Sequence, residues 1–173
     1  MSSQSLKRFQ WILASGSPRR QDLLKELKVP FKTVPSRAPE TRKRGESPGP
    51  FARRLAVLKA RSVAGKLKGK GGSVLVLGAD TIVVLKGKIF GKPRSVCHAA
   101  WMLSRLSGKM HRVYTGVALV HAGTGRVRSG LAVSKVRLRE ISEEEALRIG
   151  AKHMDKSGSY ACQDKQDHLV KKI

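Results

Sequence analysis

Short apolar runs of strand length alternate with segments of helical periodicity along almost the whole chain, and that alternation leaves few architectures open. Gln10 to Ala14 (QWILA) reads as a short buried strand ending in the turn Ser15-Gly16-Ser17-Pro18. A helix is predicted next, with Ser17 as N-cap, Pro18 at the first helical position and Leu23, Leu24 and Leu27 as its apolar stripe. Val29 to Val34 is a second short strand, and the polar, basic, proline-rich stretch from Pro35 to Pro50 is a loop. Helical periodicity returns from Phe51 to Leu67 through Leu55, Leu58 and Val63, and Lys66 to Gly72 is a flexible turn. Val74 to Leu77 is a wholly apolar strand, followed directly by Gly78-Ala79-Asp80-Thr81. Ile82 to Leu85 and Lys88 to Phe90 form a hairpin pair around Lys86-Gly87. Ala99 to Leu106 is a helix closed by Ser107-Gly108, and Val113–Val120 and Val127–Leu138 are long paired strands around Gly123 to Gly125. Ser142 caps a short helix whose first turn holds Glu143, Glu144 and Glu145, where carboxylates favour the dipole. A last strand lies near His168 to Ile173. Strands and helices alternate, so the class is α/β.

A chain of 173 residues suits one compact domain with a sizeable core, and 40% hydrophobic against 28% charged residues reads as soluble and globular. Lys and Arg total 36 against 12 Asp and Glu, for a net charge of +24, so polyanions and phosphates are expected partners and nucleic acid is a candidate. Aromatic residues make up only 5%, and no basic run is interleaved with them as a single-strand stacking platform requires. Cys97 and Cys162 lie far apart, outside any zinc-ligand spacing, which points to a reducing compartment without a disulfide framework. No apolar stretch is long enough to span a membrane and the N-terminus lacks a signal-peptide core, so a cytoplasmic location is expected.

Three sets of residues carry candidate chemistry. SGSPRR, Ser15 to Arg20, combines a strand end, a small-residue turn and a helix N-terminus, which together make an anion site. Arg19 and Arg20 sit where the macrodipole disfavours cations, a penalty that a bound phosphate would reverse. Alone, the hexapeptide reads as an ordinary Ser-Pro cap followed by solvated arginines, and it lacks the Walker spacing of a P-loop. Asp80 closely follows the most apolar strand, where open α/β sheets bind ligands; it suits a water-activating or metal-binding carboxylate, and equally a cap on the next turn. Lys59 falls on or beside the apolar stripe of its helix, Lys92 is held extended by Pro93, and Glu40 is one of two acids in a long basic loop. Individually, each of these three reads as a solvated surface charge, and His111 and Tyr114 as packing residues within a strand.

In order along the chain stand LASGSPRR at 13–20, VPSRAPET at 34–41, RLAVLKA at 54–60, LGADTIVV at 77–84, GKP at 91–93, LSGKMHRVYTGVAL at 106–119 and DKSGSYACQDKQD at 155–167. Together they resemble the Maf family of nucleotide pyrophosphatases from Trp11 onward. The resemblance implies a Maf/inosine-triphosphatase-like fold, with a central mixed sheet and two lobes around a cleft, hydrolysing nucleoside triphosphates to monophosphate and pyrophosphate. It implies a divalent cation, magnesium or manganese, and often a homodimer. Carried over by residue, Asp80 is the proton acceptor; Ser15, Arg19 and Arg20 bind phosphates; Glu40, Lys59 and Lys92 complete the phosphate and metal environment, with Glu40 and Asp80 as metal ligands. Arg19, Thr81 and Gln163 match the branch acting on dTTP and UTP, whereas the branch preferring 7-methyl-GTP carries Trp, Gln and Glu there.

Family members continue with an EGxxxNVVGLP-like segment beyond the position of Ile173. The expectation is therefore a single Maf-like domain over 1–173, shortened at its C-terminus. The competing expectation, from the charge, is a catalytically impaired relative that binds nucleic acid.

Overall fold

The computed structural model describes residues 8–67, 73–160 and 168–173. Among these, seven strands form one mixed sheet: β1 (Gln10–Leu13), β2 (Phe31–Thr33), β3 (Val74–Leu85), β4 (Lys88–Phe90), β5 (Met110–His121), β6 (Val127–Leu138) and β7 (Val170–Lys172). The order across the sheet is β2-β1-β3-β5-β6-β7, with β4 pairing β3 off that path. β1 pairs in parallel with both β2 and β3, and β4 and β7 pair antiparallel with β3 and β6. The four α-helices among the described residues are α1 (Pro18–Glu26), α2 (Pro48–Ala64), α3 (Val96–Leu106) and α4 (Glu143–Lys152). No described helix is long and apolar enough to cross a membrane. Cys97 is a free, exposed thiol.

The chain divides into two compact units, residues Met1–Asp80 with Thr115–Leu131, and Thr81–Tyr114 with Ala132–Ile173. In the first, α2 packs Ala56, Ala60 and Val63 against Ile12, Val76, Ala118 and Val120 of the sheet. In the second, α3 and α4 bury Leu103, Leu106 and Ile149 against Val83, Val136 and Leu138. Each such aliphatic side chain contributes about 1.5–3 kcal/mol by leaving water. His111 of the second unit joins its core through a 2.5 Å hydrogen bond between Nε2 and the Tyr160 hydroxyl, and burial lowers its pKa.

Most expected elements form, with differences that have local causes. The largest concerns β3, which runs unbroken through Gly78-Ala79-Asp80-Thr81, where a break was expected. A Cβ on Gly78 would stand 2.3 Å from the Ala56 carbonyl oxygen and 2.8 Å from the Ala60 nitrogen, so the strand continues beneath α2 with no room for a side chain. Asp80 is therefore a mid-strand residue and caps no turn. α2 begins at Pro48, with Ser47 as N-cap and proline in its first turn, three residues before the predicted start. Its closest approach is made by alanines rather than by Leu58, which is only half-buried. The nine-residue α1 starts at Pro18 as expected, but it buries Leu24 alone of its predicted stripe; Leu23 and Leu27 are exposed. The Lys86-Gly87 hairpin turn has positive φ at both residues, as a two-residue connection of this hand requires. α3 is longer than expected because Ser95 caps it, its Oγ accepting from the His98 nitrogen at 3.1 Å. Ser142 caps α4 in the same way from the Glu145 nitrogen, at 3.2 Å.

Candidate active site

β1 delivers the first site residue. The Ala14 nitrogen donates to the Leu77 carbonyl at 2.7 Å, carrying the β1–β3 ladder one residue past the strand and fixing the backbone at Ser15. The buried Ser15 Oγ then accepts from the Ser17 nitrogen at 3.2 Å and from Arg20 Nη1 at 3.1 Å. Ser17 makes no side-chain cap, and no acid lies in the first turn of α1. The helix N-terminus therefore meets only Arg19 and Arg20, both half-buried. Burial disfavours the Arg20 charge, the carboxylates of Asp80 and Glu40 favour it, and Arg19 opposes it. An anion at this turn would relieve both the dipole and the crowding of the guanidinium groups.

The second part of the site is a buried ion cluster. α2 faces β3 through its alanine stripe, so Lys59, on the same side of the helix, reaches the strand. Its Nζ lies 2.5 Å from Asp80 Oδ1 and 2.7 Å from Glu40 Oε1. The side chains of Lys59 and Asp80 are only 11% and 8% exposed, which excludes the solvated-charge reading for Lys59. Burial pushes the Asp80 carboxyl up from its ordinary value; the Lys59 charge and hydrogen bond resist, Glu40 reinforces the rise and Arg20 resists it. Thus a carboxyl of unusual proton affinity sits beside a fixed ammonium and a second carboxylate, within the electrostatic reach of the Ser15–Arg20 turn.

Glu40 reaches this cluster because its loop is tied to α2. Arg54 donates from Nε and Nη2 to the two carboxylate oxygens of Glu46, each at 2.6 Å, and from Nη2 to the Thr41 carbonyl at 3.0 Å. The Glu46 pKa falls to about 2, chiefly through the hydrogen bond with Arg54. Ser36 and Ser62 share a 2.7 Å hydroxyl contact that pins the other end of the loop. Sequence reasoning missed Glu46 and Arg54 as positioning residues. The signal was present, since Glu46 is the other acid of the basic loop.

Ser15, Arg19, Arg20, Glu40, Lys59 and Asp80 all belong to the first unit, and the second unit holds the remaining described site residues. Lys92 is exposed there and lines a cavity of about 410 Å³ with Lys88, Arg94, His98 and Trp101. The Thr81 carbonyl accepts from Ser157 Oγ at 2.9 Å, which ties the DKSGSY segment to β3. Gln163 lies outside the described residues. No group of three or more His, Cys, Asp or Glu side chains able to hold a metal occurs among the described residues. Asp80 Oδ1 and Glu40 Oε1 are hard oxygen donors of the kind magnesium takes, and the point on which they converge is occupied by Lys59 Nζ.

A helix N-terminal turn that suits an anion follows β1, and a buried acid–base pair stands at β3, its parallel neighbour in the mixed sheet, an α/β enzyme arrangement suited to phosphate chemistry. The chain belongs to the Maf family: the family model described as Maf-like protein matches residues 10–173. It is 38% identical over 162 residues to a dTTP/UTP pyrophosphatase of Elusimicrobium minutum, covering 94% of this chain and 85% of the relative. It is 42% identical over 163 residues to a dTTP/UTP pyrophosphatase of Photorhabdus laumondii, covering 93% and 81%. To the protein of that name from Moorella thermoacetica it is 43% identical over 161 residues, covering 92% and 81%.

Proposed function

We propose that this chain is a nucleoside triphosphate pyrophosphatase that hydrolyses dTTP and UTP to the monophosphate and pyrophosphate. The observation that carries the reading is the Lys59–Asp80–Glu40 cluster beside the Ser15–Arg20 turn, in a chain matched almost end to end by relatives bearing that name. Asp80 accepts a proton from water as the water oxygen attacks the α-phosphorus. The bond from that phosphorus to the bridging oxygen breaks, and pyrophosphate leaves with the electron pair. The raised proton affinity of Asp80 suits it to this step at neutral pH. Arg19, Arg20 and the Ser15 turn hold phosphate oxygens, Lys92 adds a further cation, and Lys59 fixes the Asp80 carboxylate and offsets negative charge as it develops.

Glu40 and Asp80 would hold a divalent cation, magnesium or manganese, together with phosphate oxygens; when bound it neutralises charge on the polyphosphate. Arg19, Thr81 and Gln163 select the base, since a neutral amide can both donate to and accept from a pyrimidine edge. An impaired active site is the weaker alternative, because burying the Lys59–Asp80 ion pair costs desolvation that a binding-only protein has no need to bear.

The test is kcat/KM for pyrophosphate release from dTTP, UTP, GTP and 7-methyl-GTP with magnesium or manganese. Faster turnover of dTTP and UTP is expected. Arg19→Trp, Thr81→Gln and Gln163→Glu in combination should move preference toward 7-methyl-GTP, whose cationic base suits a Trp face and a carboxylate. A wild-type preference for 7-methyl-GTP would overturn the choice of nucleotide. No pyrophosphate from any of the four would overturn the enzyme reading.

A further inference from the structure

The charge of this protein is distributed in a way that the nucleotide site does not use. Between Glu46 and Glu140 the chain holds nineteen Lys and Arg residues and a single acid, Asp80, which lies buried against Lys59. The exposed surface contributed by that long segment therefore carries no negative side chain. In the second unit, part of the segment forms a sheet face turned away from α3 and α4. On β5, His111 is buried and Val113 packs on the core, so Met110, Arg112 and Tyr114 point to the opposite side. On β6, Val136 and Leu138 are buried against α3 and α4, whereas Val133, Lys135 and Arg137 are exposed on the side away from those helices. Arg137 lies directly opposite the exposed Lys172 of β7. Like charges opposed across an antiparallel pair are destabilising, and among the described residues no carboxylate pairs with Arg112, Lys135, Arg137 or Lys172.

We propose that this open face of β5, β6 and β7, bearing Arg112, Lys135, Arg137 and Lys172, is a sequence-independent docking surface for the phosphate backbone of nucleic acid. Several observations favour that partner. The cations stand in rows on neighbouring strands, a layout suited to tracking a chain of phosphates. Tyr114 lies half-buried on the same side of β5. The face is built of strands, whereas an interfacial contact of the amphipathic-helix kind lays a helix with aromatic anchors on the bilayer. A lone tyrosine supports no sequence reading, so affinity comes from counterion release and falls steeply with salt. This inference does not depend on the pyrophosphatase reading.

The experiment measures binding of the full chain to a fluorescein-labelled mixed-sequence 20-nucleotide single-stranded DNA across 50–300 mM salt. Two fourfold variants of equal net charge are compared. The first is Arg112→Gln, Lys135→Gln, Arg137→Gln and Lys172→Gln. The second, as control, is Lys28→Gln, Lys32→Gln, Arg61→Gln and Lys66→Gln, all exposed positions of the first unit. The expected result is salt-sensitive binding by wild type and control, with the face variant weaker by about tenfold or more and its log–log salt slope shallower by roughly 3, four phosphate contacts being lost. Both variants must retain the wild-type circular dichroism spectrum and melting profile. Where the face variant unfolds, the Lys135→Gln, Arg137→Gln pair replaces it, with half the change in slope expected. Equal losses in the face and control variants would overturn the assignment to this face. Absence of wild-type binding at 50 mM salt, or preferential binding to phosphatidylserine vesicles over the oligonucleotide, would overturn nucleic acid as the partner.

Discussion

Asp80 ionises in surroundings that resist its charge, and the resistance has identifiable sources. Burial is the largest, the neighbouring Glu40 carboxylate adds to it, and Lys59 and Arg20 work against it. The folded state therefore holds the Asp80 proton more firmly than the unfolded chain does. This group's contribution to stability is fullest below the ordinary carboxyl pKa and is lost as pH rises through the raised folded value. The same shift fixes the sign of a pH effect on activity. As Asp80 must be ionised to accept a proton, the acid limb of kcat/KM should lie above the range of an exposed Asp. Glu40→Gln removes the reinforcing negative charge and frees Lys59 to act on Asp80 alone, so that limb should move to lower pH even if the maximal rate falls. An unmoved or raised limb, measured over pH 4–9, would count against Asp80 as the titrating base. Lys59 and Asp80 were identifiable as odd residues in apolar settings, but Lys59 also fitted a solvated charge and Asp80 a cap on the next turn. What the sequence could not reveal was that two residues 21 positions apart meet at 2.5 Å, because that depends on how closely a helix lies on a strand.

At the level of elements, that closeness comes from missing side chains. α2 presents Ala52, Ala56 and Ala60 to Gly116 and Gly78, and a Cβ at either glycine would stand 2.3 Å from a helix carbonyl oxygen. Backbone meets backbone there, so neither side can yield by changing a rotamer. Gly78→Ala should lift α2 from β3, destabilising the protein by about 1–3 kcal/mol. It should also lower activity further than the unfolded fraction explains, since Lys59 moves with the helix. Urea midpoints paired with activity per folded molecule check this; a variant of wild-type stability and rate would show that the contact is dispensable. Periodicity predicted this helix but not its tight face, because helical patterns are read from large apolar residues and the decisive ones here are the smallest. The same bias placed a break at Gly78-Ala79-Asp80-Thr81, whose first three residues have low strand propensity and which the strand carries through because a helix seats on Gly78. The turns and caps around Lys86-Gly87 and Ser142 were legible because their chemistry is local.

Across the whole molecule, the sequence disclosed class and family through motifs spread over its length, and the sheet assembles those motifs from distant stretches. LASGSPRR at the end of β1 and LGADTIVV in β3 become neighbours because the two strands pair in parallel, Leu13 opposite Leu77. RLAVLKA joins them through α2, and VPSRAPET through the loop that Arg54 and Glu46 secure. The +24 charge was legible from composition, but its placement required the strands, since only alternation and burial separate the open face from the core. In the proposed reaction this assembly directs water, activated by Asp80, onto the α-phosphorus of a pyrimidine nucleoside triphosphate. Hydrolysis of UTP in H₂¹⁸O, followed by mass spectrometry of the products for wild type and Asp80→Asn, tests it directly. The predicted result is one ¹⁸O atom in UMP, unlabelled pyrophosphate, and a rate about 10²–10⁴-fold lower in a folded Asn variant. Label in pyrophosphate, release of orthophosphate with UDP, or an Asn variant at the wild-type rate would contradict it.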